Sequence, residues 1–232
     1  MSSASTSSTA SSNTATSGNN PSDVPRLLAD HPALDLLNTL ERALLDAPLD
    51  RWQSDEDVWQ WLERVSLLPN GELPARRPQG MLDAAVALRE SLRSAVSQRK
   101  RGDTVDVTLL NEYLGADACR TLLTAAEGGK IRLARVYPTD TPMQCLVPLA
   151  LSAADLLANG DFTLIRQCES ETCTMWFYDR TRAHRRRWCS MALCGNRHKV
   201  AAYRRREANA SAAASAAGAA GAANANNASD AA

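Results

Sequence analysis

The sequence predicts an α+β fold: a mainly helical N-terminal domain with a small β-hairpin, then a small four-cysteine module ending in a basic helix. Three observations carry this. Apolar residues recur at helical spacing in most segments between residues 25 and 165. The period switches to alternation once, beside the pair Gly128–Gly129. Four of the six cysteines lie between Cys168 and Cys194, where basic residues also concentrate.

The head, residues 1–24, is read as disordered. Its Ser, Thr, Ala, Asn and Gly residues bury too little apolar surface to offset backbone ordering. From Pro25 the pattern becomes globular. RLLADHPALDLLNTLERALL places Leu34, Leu37, Leu40, Leu44 and Leu45 at helical spacing, with Pro32 acceptable in a first turn. SDEDVWQWLERVSLL follows, with Ser54 as N-cap, acids in the first turn, and Val58, Trp61, Leu62 and Val65 on one stripe. Pro69 to Gly80 has loop composition. MLDAAVALRESLRSAVSQRK then sets Leu82, Ala85, Leu88, Leu92 and Val96 on one helical face and ends in basic residues, which suit a helix C-terminus. A shorter helix is expected from about Asp106, carrying Val107, Leu110 and Leu114.

In RTLLTAAEGGKIRLARVYP the apolar residues alternate at Ile131 and Leu133 and slip register before Val136, which predicts a β-hairpin turning at the glycines. CLVPLALSAADLLANGD returns to helical spacing and stops at Gly160, and FTLIRQC reads as a short strand. The tail, residues 207–232, is Ala/Asn/Gly/Ser-rich without an amphipathic stripe, and is read as disordered or transiently helical.

No segment approaches the roughly 18 continuous apolar residues of a membrane span. The N-terminus has neither the basic nor the apolar region of a secretory signal. Together these predict a cytoplasmic protein, where spaced cysteines are metal ligands more often than disulfides.

The formal charge of zero conceals a split. Residues 1–165 carry 15 Arg/Lys against 21 Asp/Glu, whereas residues 166–206 carry 11 against 3. A basic module joined to an acidic body suggests that the module meets a polyanion; a solvated basic face is the bland alternative.

Cys168, Cys173, Cys189 and Cys194 form the pattern C-x4-C-x15-C-x4-C. Two matched pairs separated by a loop suit a tetrahedral four-thiolate zinc site, with one structural Zn2+. On a regular helix two residues five apart point roughly 140° from one another, so Cys189 and Cys194 need a turn between them, with Gly195 relaxing the backbone there. The last helix is then expected to begin at about Gly195 and run to Arg206. His184 and His198 are not assigned as ligands, and a dithiol redox role is kept as secondary. Cys119 and Cys145 are read as small core residues.

The segment CESETCTMWFYDRTRAHRRRWCSMALCGNRHKVAAYRRR resembles the CGNR zinc-finger family, in its four cysteines, its aromatic–Asp step and its closing CGNR and YRRR. Upstream, ALDLLNTL with DRW and VWQWL is similar to ABATE, the domain that accompanies this finger in bacterial proteins described as stress-induced transcription regulators. The resemblance implies an ABATE-like regulatory or sensor domain over residues 25–165 and a finger over 166–206. It also implies zinc and DNA binding.

Phosphate contacts are expected from the basic loop (Arg182, Arg185, Arg186, Arg187) and the terminal helix (Arg197, Lys199, Arg204, Arg205, Arg206). Val200 and Tyr203 are expected to contact the module's core. Trp176, Phe177, Tyr178 and Trp188 either build that core or stack on unpaired bases. In the N-terminal domain, Asp35 and Asn38 are polar residues inside an apolar run, and either sense a small-molecule effector or make buried hydrogen bonds.

The expected function is a zinc-dependent, DNA-binding transcriptional regulator acting at the nucleoid, with an N-terminal domain that senses an effector or forms a homodimer. The alternatives are a module docking an acidic protein and an RNA or single-strand binder. No nucleophile elbow, phosphate loop or metal-hydrolase histidine pair is present, so an enzyme is not expected.

Overall fold

Local capping chemistry sets where the helices of the computed structural model begin. It describes residues 27–41, 49–125, 127–171 and 173–229, and side chains among these except those of 127 and 213–229. Helix α1 (Pro32–Leu37) starts where the His31 ring accepts from the Ala33 N–H, with Pro32 in the first turn. Ser54 caps α2 (Asp55–Arg64) by accepting from the Asp57 N–H, and Asp55, Glu56 and Asp57 meet the positive end of the dipole. Helix α3 (Met81–Arg101) closes on Gly102 in the left-handed region, with Arg99, Lys100 and Arg101 in its last turn. Helix α4 covers Thr108–Gly115, and α5 (Pro142–Asn159) opens on a capping box between Thr141 and Gln144.

These helices pack around Trp59, Trp61, Leu34, Leu36, Leu62, Leu88, Leu92 and Leu146, all fully buried. At about 1.5–3 kcal/mol per large apolar side chain, this cluster is the main source of the domain's stability. The strands add little to it. β1 (Leu40–Glu41) pairs antiparallel with β2 (Leu49–Asp50), and β3 (Arg120–Ala125) with β4 (Ile131–Val136). β5 (Ile165–Gln167) pairs antiparallel with β6 (Trp176–Tyr178). Among the described residues each sheet has two strands. Helix α6 (Asn196–Ser229) ends the described chain.

Four expectations change. The first helix stops at Leu37 instead of running to Leu45: Leu40 lies in β1, and Leu44 and Leu45 fall outside the described residues. The register slip before Val136 does not occur, since β4 pairs without interruption from Ile131↔Ala125 to Val136↔Arg120. Leu82 is only half-buried on α3, and the buried stripe runs Met81, Ala85, Leu88, Arg89, Leu92, Ala95 and Val96. Finally, α6 continues past Arg206 across residues whose composition suggested disorder, because alanine has the highest helix propensity and fills most of that stretch. The head, residues 1–24, lies outside the described residues.

Candidate metal centre and basic surface

Strands β5 and β6 bring the first cysteine pair together. Cys168 follows β5 and Cys173 precedes β6, so the pair sits in one hairpin turn, closed by Cys168 N–H to Met175 O (2.9 Å) and Cys173 N–H to Ser170 O (2.9 Å). The second pair is set by a single π turn over Met191–Gly195. Its widened hydrogen bond runs from Gly195 N–H back to Ser190 O, 3.1 Å away and five residues earlier. Cys189 lies just before this turn and Cys194 within it, and their Sγ atoms come to 3.5 Å.

Gly195 works differently from its expected role. Its backbone is not among the positive-φ glycines. A Cβ there would lie 2.4 Å from Met191 Sδ and 3.2 Å from Trp188 Cδ1, so the glycine permits a close approach, not an unusual dihedral.

All four Sγ atoms lie within 4.8 Å of one another, and the four residues are at most 6% exposed. A tetrahedral thiolate site with bonds of about 2.3 Å has sulfur–sulfur edges of about 3.8 Å. The separations of 3.7 Å for Cys173–Cys189 and 3.5 Å for Cys189–Cys194 match that edge, so the donor set fits a structural metal. The hydrogen bond with Cys189 pulls the Cys173 thiol down to about 6 and pushes Cys189 up, while burial pushes Cys194 up to about 11. Four sulfurs this close cannot all ionise without a cation among them. The described histidines stand apart from the cluster. His198 stacks on Trp188 with centroids 4.7 Å apart, and the His184 ring lies 3.2 Å from Asp179 O.

The basic loop is folded onto Asp179. This fully buried carboxylate accepts from the Thr181 hydroxyl (2.6 Å), the Thr181 N–H (3.1 Å) and the Arg186 N–H (2.9 Å). Burial alone would raise its pKa, but these donors hold it below the ordinary carboxylate value.

Arg186 leaves the expected nucleic-acid set. Its guanidinium donates to Trp188 O (3.0 Å), Cys189 O (2.5 Å) and Leu28 O (2.8 Å), pairs with Asp30, and lies 4.4 Å from the Phe177 ring centroid. Only 19% of that side chain is exposed. It stitches the backbone around Cys189 to the segment before α1.

The other basic candidates are at the surface. Arg182, Arg185, Arg187, Arg197, Lys199, Arg204, Arg205 and Arg206 are all exposed, and among these Arg187 pairs with Glu169 at 2.5 Å. A hollow of about 470 Å³ between the basic loop and the start of the π turn is lined by residues including Arg185, Arg187, Trp188 and Met191. Val200 and Tyr203 were expected to face the module's core, yet they are 49% and 54% exposed. Helix α6 meets the module at its root and projects from there. Phe177 is fully buried, Trp176 and Tyr178 are half-buried against the N-terminal core, and Trp188 is half-buried against the cysteine cluster, so all four candidate aromatics pack on a core.

Asp35 and Asn38 both make buried hydrogen bonds. Asp35 Oδ1 accepts from Leu28 N–H (2.9 Å) and Ala29 N–H (3.0 Å). Burial, opposed by those two bonds, lifts its pKa to about 6. Asn38 pairs with the backbone of Trp176 on β6: its Nδ2 donates to Trp176 O and its Oδ1 accepts from Trp176 N–H, each at 2.8 Å. One side-chain amide thus stands in for a neighbouring strand. Tyr178 N–H adds a bond to Ala29 O (2.8 Å). Asp179 was the residue missed, and Arg186, expected at phosphate, instead holds the backbone around Cys189. The available signal was that Asp179 is one of just 3 acids among 11 basic residues.

The geometry defines a helical domain fused through α1 to a four-cysteine finger. Comparison with protein families agrees on both parts. A model for the CGNR zinc finger matches residues 165–207. The ABATE model, described as "Putative stress-induced transcription regulator", matches residues 30–160. The chain belongs to the ABATE family and carries a C-terminal CGNR zinc finger. Neither is a family of enzymes. Comparison with curated proteins finds no match. Among the described residues no helix is long and apolar enough to cross a membrane.

Proposed function

We propose that the chain is a zinc-dependent, DNA-binding transcriptional regulator of the cytoplasm, acting at the nucleoid. In this reading Cys168, Cys173, Cys189 and Cys194 hold one Zn2+, whose place is structural because four thiolates leave no open coordination position. The observation that carries it is the surface of eight exposed basic side chains, Arg182, Arg185, Arg187, Arg197, Lys199, Arg204, Arg205 and Arg206, on a loop and helix rooted in the cysteine cluster. A helix beside a basic loop suits a groove and its flanking phosphates.

The N-terminal domain is the platform that orients this surface and joins two copies. An effector of that domain acts elsewhere than at Asp35 and Asn38, since Asp35 Oδ1 and both polar atoms of the Asn38 amide are taken up by backbone groups.

The test is a mobility-shift titration of the zinc-loaded full chain on mixed-sequence duplex DNA at low and moderate salt. Binding that weakens steeply with salt is expected, since each phosphate contact releases about 0.9 counterions. No shift at low salt sinks the proposal. A chain that ignores DNA but captures an acidic protein would instead be an interaction module.

A further inference from the structure

The β3–β4 hairpin is the least buried part of the N-terminal domain. Register places Leu123 opposite Leu133 and Ala125 opposite Ile131, so these four residues share one face. Leu123 and Ile131 are each 72% exposed and Leu133 is 69% exposed, higher than any other large apolar residue described. The opposite face is partly covered: Thr124, Ala134 and Val136 are half-buried there.

The base of the arm is nonetheless well fixed. Asn70 Nδ2 donates to Tyr137 O (3.0 Å) and Asn70 Oδ1 accepts from Tyr137 N–H (2.7 Å), while Arg135 pairs with Asp117 (3.0 Å). A two-stranded hairpin is marginal by itself and gains stability from a second layer on its apolar face.

We propose that this face is the contact through which two copies of the chain pair, Leu123, Ile131 and Leu133 of one against the same residues of the other. Two features favour a second copy as the occupant. The face is uncharged at its centre, so it opposes itself without burying a charge. It offers roughly 400 Å² of apolar surface, and two such faces with their rims bury roughly 1,000 Å² in total, where specific interfaces begin. A two-fold axis satisfies both, because each surface is its own complement.

This deepens the joining role proposed for the N-terminal domain, and its test contains no DNA, so failure of the pairing is distinguishable from failure of DNA binding. The zinc-loaded full chain is measured by sedimentation equilibrium across the micromolar range, beside Leu123→Lys/Leu133→Lys. The wild type is expected to dimerise, and the double variant to weaken the dimer at least about 100-fold. Circular dichroism and melting should hardly change, because both residues are already exposed. A monomeric wild type overturns the proposal, and so does a dimer that the variant leaves intact. A third chain lacking residues 1–24 guards against self-coverage: if it dimerises where the intact chain does not, the head occupies the face and the proposal fails.

Discussion

Replacing Asn38 with leucine tests the join between domain and finger. The side chain keeps its approximate volume, but the Trp176 N–H and C=O lose their partners, both at 2.8 Å. Asn38 is 2% exposed and water has little access to replace it. Each backbone group left without a partner costs about 1–3 kcal/mol, so the pair predicts a loss of about 2–6 kcal/mol. Asn38→Asp discriminates further. A carboxylate still accepts from the Trp176 N–H but faces the Trp176 carbonyl with a second acceptor. That variant is expected to be as unstable as the leucine at pH 7.5 and to recover on acidification, when the acid can donate to Trp176 O. Urea unfolding of the zinc-loaded full chain, followed by tryptophan fluorescence and far-ultraviolet circular dichroism, measures both. A loss below about 1 kcal/mol for Asn38→Leu would refute the idea that this amide holds the finger in place.

Other outcomes follow from the same geometry. Gly195→Ala sets a methyl against Met191 Sδ, and because the exposed Met191 side chain can swing aside the cost in thermal unfolding is expected to stay within about 1 kcal/mol, which Met191→Ala in the same chain should remove. Chelation should unfold the finger and quench the Trp188–His198 stack, and Cys189→Ser should do the same without chelator; an unchanged circular dichroism spectrum would count against a structural metal. Burial raises Asp35 to about 6, above the 3.8 of the free side chain, so the folded chain takes up this proton first. Its contribution to stability therefore grows as pH falls from about 6 towards 4, and Asp35→Asn should flatten that limb of the stability–pH curve. Arg204→Ala/Arg205→Ala should leave melting unchanged and reduce the salt dependence of DNA binding by up to about 0.9 per lost phosphate contact, whereas Arg186→Ala should lower melting.

The sequence was most informative where structure depends on near neighbours. Ser54 and the acids after it announced α2, and the matched cysteine spacing announced the cluster, because a cap and a knuckle each close within a few residues. It was least informative where distant segments decide. The leucine periodicity carried the first helix through Leu40, but Asn38 turns to meet Trp176, a partner 138 positions away. Arg186 and Arg187 are identical letters side by side. One is clamped under Leu28 and Asp30, and the other stays exposed against Glu169, a difference that charge counting cannot resolve. Val200 and Tyr203 looked like docking residues from helical spacing, yet among the described residues nothing covers them and both are about half exposed.

The amide of Asn38 completes the edge of a strand that belongs to the finger. The boundary between the two matched families is therefore not a boundary in folding. Metal held by four sulfurs lends its binding free energy to α1 as well as to the finger, and the apolar core behind α1 raises the affinity for metal in return. Metal supply and the stability of the N-terminal domain become linked quantities. Loss of the metal would loosen the platform's hold on the surface it presents.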